Sequence, residues 1–318
     1  MTRLPRHLGR FVGVALFLLA VWALRAALRD TPWSEIRAAF DGIPRGRLAL
    51  SAALVAINYL ALSSYDLLGL RYLRLRLPLA KVVFASFLSY ALSQNLGLPL
   101  ITGGSVRLRF YRRWGFGTTQ VGALILFGGA TFWLGFLLLA GLLFLVHPTP
   151  LPPELHIPAA WVRPLGILML LACAAYIYWA AGGRQTTVDL NGVELGRPGW
   201  RMALAQFGAS TFDWLLAAAS FFVLLPGEAG IPFVLALTVF LIAAFAGNAS
   251  QVPGGLGVFE TVALWLLSPH LPAAQIAGVL IAFRALYFVL PLVLATVLFG
   301  LHTLRGRKSG TPGAATES

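Results

Sequence analysis

Cysteine, acidic side chains and long polar segments are all scarce in this chain of 318 residues. The single cysteine, Cys173, excludes an intrachain disulfide. The longest polar segments, 29–47 and 182–200, are too short to build an independent hydrophobic core. These absences exclude a disulfide scaffold and an enzyme whose chemistry sits in a water-soluble domain. The five histidines show no metal-ligand spacing, so we expect neither a metal site nor another cofactor.

Hydrophobic residues make up 58% of the chain and charged residues only 11%, with a mean hydropathy of +0.81. Several apolar segments reach the ~20 residues that a helix needs to cross a bilayer. The composition therefore predicts an all-α polytopic membrane protein, with one integral membrane domain over 1–302 and a disordered cytoplasmic tail over 303–318. The apolar segments are about 8–28, 48–68, 82–101, 118–146, 159–181, 202–225, 231–250, 258–268 and 273–301.

The net charge of +13 is unevenly distributed along the chain. Segments 147–158, 226–231 and 268–273 carry no Arg or Lys. Basic loops of membrane proteins stay in the cytoplasm, so the pattern places both termini there and argues against a nucleic-acid partner. The N-terminal run resembles a signal peptide, but its length and Arg25 favour an uncleaved first helix. Arg and Lys cluster in 1–10, 69–81, 103–117, 182–201 and the C-terminal tail.

In two apolar regions the two flanking segments are alike, either both rich in basic residues or both without them. Segment 82–101 lies between two basic clusters, so both of its ends are expected in the cytoplasm. Region 231–268 lies between two segments without basic residues, so both of its ends are expected outside. We therefore predict two re-entrant hairpins and about six spanning helices. The alternative is that these segments are ordinary spans.

A short internal repeat supports two hairpins that open to opposite sides. Residues 63–68 match residues 210–215 in three identities and two conservative pairs, each copy around one intramembrane aspartate. The two halves of the chain, about 48–146 and 202–301, then form an inverted repeat. Inverted repeats with interrupted helices recur in secondary transporters.

Helix-breaking residues follow each copy of the repeat in the same order. They are Asn95, Pro99, Gly103 and Gly104 in the first half, and Asn248, Pro253, Gly254 and Gly255 in the second. Irregular backbone at membrane depth survives only where protein buries it or water lines it. We therefore predict the hairpin tips here; Asn95 and Asn248 line a polar path or satisfy a helix break. The predicted gating residues are Gly103, Gly104, Pro253, Gly254, Gly255 and Gly257.

Arg284 and Asp213 lie about 12 residues inside their predicted spans, ~18 Å from the helix ends and near mid-membrane. Burying an unpaired charge there costs ~2.5 kcal/mol or more, so such residues pair and usually serve function. Arg284 is expected to receive a phosphate or another anion, with Asp213 and Glu260 as its available carboxylates. The alternative is a fixed ion pair that only locks the helix bundle. Asp66, five residues before Arg71, is expected near the cytoplasmic interface.

Arginines alternate with aromatic residues in segment 103–114. At a membrane edge this pattern predicts an aromatic belt with anionic-lipid contacts, worth about 1 kcal/mol per basic residue. Arg107 and Arg109 then mark either a substrate entrance or a passive anchor. No catalytic residue is predicted. The predicted substrate-binding residues are Arg284, Glu260, Asp213, Asp66, Asn95, Asn248, Arg107 and Arg109.

Two groups of residues form recognisable motifs: Asn95 with Gly103-Gly104-Ser105-Val106-Arg107-x-Arg109 and Tyr111-Arg112-Arg113-Trp114-Gly115, and Pro253-Gly254-Gly255-Leu256-Gly257-x-Phe259-Glu260. They resemble the signatures of the lysylphosphatidylglycerol synthase transmembrane family. The resemblance covers about 10–302 and implies a bacterial inner-membrane protein similar to the flippase half of bifunctional members, which moves aminoacylated phosphatidylglycerol to the outer leaflet. The chain ends 14 residues after Leu304, so the soluble aminoacyl-transferase domain of those members is expected to be absent and aminoacylation is not implied.

The expected function is translocation of an anionic or aminoacylated phospholipid, or of another lipid-linked anion, between leaflets. Two alternatives remain open: an intramembrane lipid-modifying transferase, and a non-transporting accessory subunit of a lipid or glycan synthase. Against the transferase, the sequence places no histidine nucleophile and no cluster of carboxylates at depth. Expected partners are membrane phospholipids, a lipid- or glycan-synthesis enzyme and a second copy of the chain.

Overall fold

The computed structural model describes residues 25, 29, 31–96, 99–148, 158–182, 188–190 and 193–308. Nearly all of the predicted first span, and residues 309–318 of the predicted tail, lie outside these described residues. Within them the chain is almost entirely helical, as the composition predicts.

The first half of the described chain consists of helices only. Leu62 keeps helical dihedral angles (φ −56°, ψ −27°) between the second and third helices, which together form one stretch of 28 residues. The helices are α1 (Trp33–Asp41), α2 (Arg45–Ala61), α3 (Ser63–Tyr72), α4 (Leu79–Leu96), α5 (Pro99–Arg113) and α6 (Thr118–Val146).

The second half adds a small β-hairpin to the helices. Strand β1 (Val188–Leu190) pairs antiparallel with β2 (Val193–Leu195) within the polar segment 182–200. The last helix continues to Lys308, so residues 303–308 are helical and not part of the disordered tail that the sequence predicts. The helices are α7 (Val162–Ala181), α8 (Trp200–Phe222), α9 (Phe233–Ala249), α10 (Val258–Leu267), α11 (Ala273–Arg284) and α12 (Leu290–Lys308), with a π-helical turn (Ala285–Val289) between the last two.

Several stretches of the described chain are long and apolar enough to cross a membrane, which confirms the predicted polytopic class. Helix α8, which carries Asp213, has 23 residues, or ~35 Å at the usual rise. Two further apolar helical stretches, Phe233–Ala249 and Pro253–Leu267, are shorter. The four candidate spans are Arg45–Tyr72, Thr118–Val146, Val162–Ala181 and Ala273–His302.

Both halves contain a helical hairpin between long helices. In the first half α4 packs along α5, between α2–α3 and α6; in the second, α9 packs along α10, between α8 and α11–α12. This element order is the one that the predicted repeat requires. Which side of a membrane each hairpin enters stays a prediction.

The first hairpin differs from the prediction in where its chain reverses. Its second arm runs from Pro99 to Arg113, so Gly103 and Gly104 lie inside a helix and form no tip. A Cβ on Gly103 would lie 3.1 Å from the Cβ of Ser93, and one on Gly104 would lie 3.3 Å from Ile125. These glycines therefore allow neighbouring helices to approach, and the prediction of a glycine break at 103–104 is wrong.

Stacked aromatic rings hold the second hairpin in place. The Phe259 ring on α10 stacks on Phe283 of α11, with centroids 5.8 Å apart, and Phe283 stacks on Tyr287 at 5.0 Å. Phe221 of α8 and Phe240 of α9 meet the same rings edge-on. Aromatic contacts of this kind contribute ~0.5–1.5 kcal/mol each beyond their buried area. They fix the π-helical turn beside the hairpin.

The distribution of basic residues predicts the side of the membrane from which each loop can be labelled. In a cysteine-free background (Cys173→Ala), a cysteine replacing exposed Thr118 should react with a membrane-impermeant maleimide only from the cytoplasmic side. A cysteine replacing exposed Ser268 should react only from outside. Labelling intact cells and inverted vesicles measures both. Reaction of both positions from the same side would contradict the topology.

Candidate functional site

Arg284 lies at the end of α11, where the chain enters the π-helical turn. Its Nε donates to Glu260 Oε1, its Nη1 to the carbonyl oxygen of Gly254 at 2.5 Å, and its Nη2 to the carbonyl oxygen of Gly255 at 3.3 Å. The guanidinium carbon lies 4.3 Å from the centroid of the Phe288 ring. Arg284 therefore pairs with Glu260, one of the two carboxylates that the sequence offers.

Glu260 connects this arginine to the start of α10. Its second carboxylate oxygen accepts the Gly257 N–H at 2.7 Å, which caps the first turn of the helix. Gly254, Gly255 and Gly257 have φ values of 62°, 60° and 79°, a region that glycine enters without steric cost. The irregular turn predicted at Pro253 to Gly255 is present, and side chains of the protein satisfy its backbone.

The tips of the two hairpins meet at this site. A Cβ on Gly254 would lie 3.3 Å from the carbonyl oxygen of Gln94, near the end of α4. Asn95 Nδ2 donates to the Ala91 carbonyl at 2.8 Å and to the Phe288 carbonyl in the π-helical turn at 3.2 Å. Asn248 instead is exposed and donates to Ala244 within its own helix. Asn95 therefore joins the site, and Asn248 does not.

Asp213 forms a second polar centre, between the first long helices of the two halves. Its Oδ1 accepts Asn58 Nδ2 at 2.7 Å, and its Oδ2 accepts the Tyr65 hydroxyl at 2.6 Å. Asn58 Oδ1 in turn accepts the Tyr287 hydroxyl at 2.8 Å. Only 3% of Asp213 is exposed. Asp213 is therefore held by neutral donors and does not pair with Arg284.

The two polar centres are joined through the π-helical turn. The Tyr59 hydroxyl donates towards the Tyr287 carbonyl (3.1 Å) or Gln94 Oε1 (3.2 Å), which lies in the first hairpin tip. Tyr287 follows Arg284 by three residues, less than one helical turn. A movement of this turn would therefore disturb both centres.

Asp66 and Arg107 form a third polar centre, in the first half of the chain. Arg107 Nε donates to both Asp66 oxygens, at 2.9 and 3.3 Å, and its guanidinium carbon lies 4.6 Å from the Tyr90 ring centroid. The predictions that Asp66 reaches the interface and that Arg107 contacts lipid at the membrane edge are both wrong. Each charge is buried because the other compensates it. Arg109 is exposed, with its guanidinium carbon 4.9 Å from the Phe299 ring centroid.

The tyrosines of this network carry little signal in the sequence. Each of the three, Tyr59, Tyr65 and Tyr287, is by itself typical of the aromatic residues in membrane helices. Spacing provides one signal, because Tyr65 follows Asn58 by seven residues and two helical turns place both on one face. The contact of that face with α8 is a tertiary feature that spacing does not specify.

Comparison with known families agrees with this architecture. The family described as the lysylphosphatidylglycerol synthase TM region matches residues 10–295. The chain belongs to this family. The match includes both helical hairpins, Arg284 and the three buried carboxylates.

Full-length relatives and larger relatives both match. The chain is 37% identical over 306 residues to the uncharacterized protein slr0712 of Synechocystis, covering 94% of this chain and 95% of that protein. It is 32% identical over 308 residues to the inner membrane protein YbhN of Escherichia coli, covering 96% of each. It is 26% identical over 294 residues to a phosphatidylglycerol lysyltransferase of Staphylococcus haemolyticus, covering 91% of this chain but 33% of that protein.

The buried Asp66–Arg107 pair predicts a large loss of stability when one charge is removed. Asp66→Asn leaves a buried guanidinium uncompensated, which should cost ~3–5 kcal/mol in thermal unfolding of the purified protein in detergent. The matched control is Arg37–Asp41, at 3.7 Å with side chains 74% and 64% exposed. Asp41→Asn should cost less than ~1 kcal/mol. Equal effects of the two substitutions would contradict the structure.

The contact between the hairpin tips predicts a difference between two glycine substitutions. Gly254 and Gly230 have φ values of 62° and 61°, so alanine at either should cost roughly 1–2 kcal/mol from backbone strain. A Cβ on Gly230 meets nothing within 4 Å, whereas one on Gly254 presses on Gln94. Gly254→Ala should therefore lower the unfolding temperature more than Gly230→Ala. Equal losses would show that the tips are not in contact.

Proposed function

We propose that this protein moves a phospholipid, or another lipid-linked anion, between the leaflets of a bacterial inner membrane. The observation that carries the proposal is the convergence of two helical hairpin tips on one nearly buried arginine. Arg284 is the cation at that point, and its side chain is 14% exposed. Broken helices that meet around a polar site are a recurring plan of transporters.

The hydrogen bonds of Arg284 suit exchange with a phosphate group. Both terminal nitrogens donate to neutral backbone carbonyls of Gly254 and Gly255. A phosphate carries full negative charge and accepts two parallel bonds from a guanidinium, so it competes well for these donors. Glu260 would keep the arginine compensated when no lipid is bound.

Opening of the hairpin tips would give the headgroup access to Arg284. The Gly254 turn lies against Gln94, and Asn95 fastens the first tip to the π-helical turn. Among the described residues, two hydrogen bonds hold the end of α4 to its surroundings, from Asn95 Nδ2 to the Phe288 carbonyl and from the Tyr59 hydroxyl to Gln94 Oε1, so separation of the tips breaks few such bonds. In the proposed cycle the two hairpins open alternately, and the lipid tails stay in the bilayer throughout.

The descriptions of the relatives narrow the class of lipid that this protein would move. One similar protein is described as an inner membrane protein, and larger relatives are described as phosphatidylglycerol lysyltransferases. Phosphatidylglycerol and its aminoacylated form are therefore the first lipids to test. Both present a phosphate to the guanidinium.

Substitution of Arg284 tests the proposal. In vesicles of phosphatidylglycerol and phosphatidylethanolamine, wild-type protein should speed the crossing of labelled phosphatidylglycerol, and Arg284→Gln should reduce the initial rate at least about tenfold. A tenfold loss corresponds to ~1.4 kcal/mol, a modest share of a charge-assisted bidentate contact. Arg112→Gln, which removes an exposed arginine of α5, is the matched control and should retain the wild-type rate.

Four results would overturn the proposal. Wild-type protein that moves no labelled lipid, or an Arg284→Gln rate equal to wild type, would contradict it. Conversion of the labelled lipid into a chemically different lipid, detected by mass spectrometry, would favour an intramembrane transferase. Co-purification with a lipid or glycan synthase without any lipid movement would favour an accessory subunit.

A further inference from the structure

Asp213 differs from the other two buried carboxylates of the described chain. Asp66 pairs with Arg107, and Glu260 pairs with Arg284. Within the described part of the chain, no arginine, lysine or histidine forms an ion pair with Asp213. Its side-chain hydrogen bonds come from the amide of Asn58 and the hydroxyl of Tyr65, both neutral.

Burial makes the ionised form of such a carboxylate costly. A charge in a low-dielectric interior needs a counter-charge, and binding of one proton removes the need. The surrounding groups allow both states, because a tyrosine hydroxyl accepts a hydrogen bond as well as donating one. A protonated Asp213 would donate to the Tyr65 oxygen and still accept from Asn58. The same two contacts therefore hold the residue before and after proton binding.

The titratable neighbours of Asp213 are mostly tyrosines. They come from α2, α3, α4 and the π-helical turn, whereas α6 and α9, which also pack against α8, contain no titratable side chain. Tyr176 of α7 bonds to Gln206, two turns before Asp213 on α8. Arg107, which lies over the Tyr90 ring, is compensated by Asp66. Helix α11 also packs against α8, and its one titratable side chain, Arg284, is compensated by Glu260. Tyr65 bonds to the carboxylate directly, and Tyr59, Tyr90 and Tyr287 lie close enough to interact with its charge.

A short chain of contacts connects this carboxylate to the anion site. Asn58 bonds to Asp213 and accepts the Tyr287 hydroxyl, and Tyr287 lies three residues after Arg284. The same π-helical turn provides the Phe288 carbonyl that holds Asn95 of the first hairpin tip. π-helical turns within α-helices occur frequently at functional sites. A change at Asp213 therefore reaches both the arginine and the tip contact.

We propose that Asp213 is a proton-binding site that couples the movement of lipid through the Arg284 site to the proton gradient. This inference rests on the proposed function. The donors around Asp213 favour a proton over a metal cation: an N–H and an O–H point at its two oxygens, and Asn58 Oδ1 already accepts from Tyr287. A metal cation needs oxygen lone pairs that face inwards.

The test measures the leaflet distribution of labelled phosphatidylglycerol in reconstituted vesicles at a clamped membrane potential. With one proton per lipid, a pH difference of one unit should shift the steady-state ratio by up to about tenfold, whatever the orientation of the protein. Asp213→Asn mimics the protonated state. It should still pass lipid to an equal distribution, but without any shift.

Two variants control for structural damage. Gln206→Met changes a buried polar residue two turns earlier on α8 and should retain the full shift. Asp213→Glu keeps a carboxyl group and should retain part of it. Wild-type protein that moves lipid without any shift would overturn the coupling and leave the proposed function standing. A shift retained by Asp213→Asn, or one produced by a sodium gradient at equal pH, would also overturn it. Wild-type protein that moves no lipid would overturn both proposals.

Discussion

Lipid offers no hydrogen-bond partner to an interrupted helix, and the guanidinium of Arg284 supplies the partners that this fold needs. It donates hydrogen bonds to the carbonyls of Gly254 and Gly255 and compensates the charge of Glu260. Protein groups therefore satisfy the irregular backbone of the second hairpin tip. Because the same tip lies against Gln94, the position of the first hairpin depends on it too. An anion that competes for Arg284 would loosen the tip at the point where the hairpins meet.

The polar network couples elements that are far apart in the chain. Asn58 and Asp213 join the first long helices of the two halves, 155 residues apart, and Tyr287 joins both to the π-helical turn. The apolar contacts of the core tolerate small shifts. Directional hydrogen bonds do not, so a polar network of this kind favours discrete arrangements over gradual deformation. Alternating access requires such discrete states.

The sequence predicts one hairpin of the site better than the other. Pro253, the following glycines and Glu260 interrupt an apolar region. The local sequence therefore predicts both the helix break and one partner of Arg284. The burial of Arg107 is not predictable in this way, because a basic cluster beside aromatic residues indicates a membrane edge. Only tertiary packing brings Asp66 to Arg107. Gly103 and Gly104 look like a break, yet close packing of α4 and α5 explains them equally well. Neighbouring sequence does not distinguish these two uses of glycine.

The central claim is that the hairpin tips must separate for lipid to cross, and a reversible tether tests it most directly. Cysteines replacing Gln94 and Leu256 in the Cys173→Ala background can be joined by a short bis-methanethiosulfonate linker and released by reduction. The account predicts that labelled phosphatidylglycerol stops crossing when the tips are joined and crosses again after reduction. Undiminished crossing through a fully joined protein would contradict it.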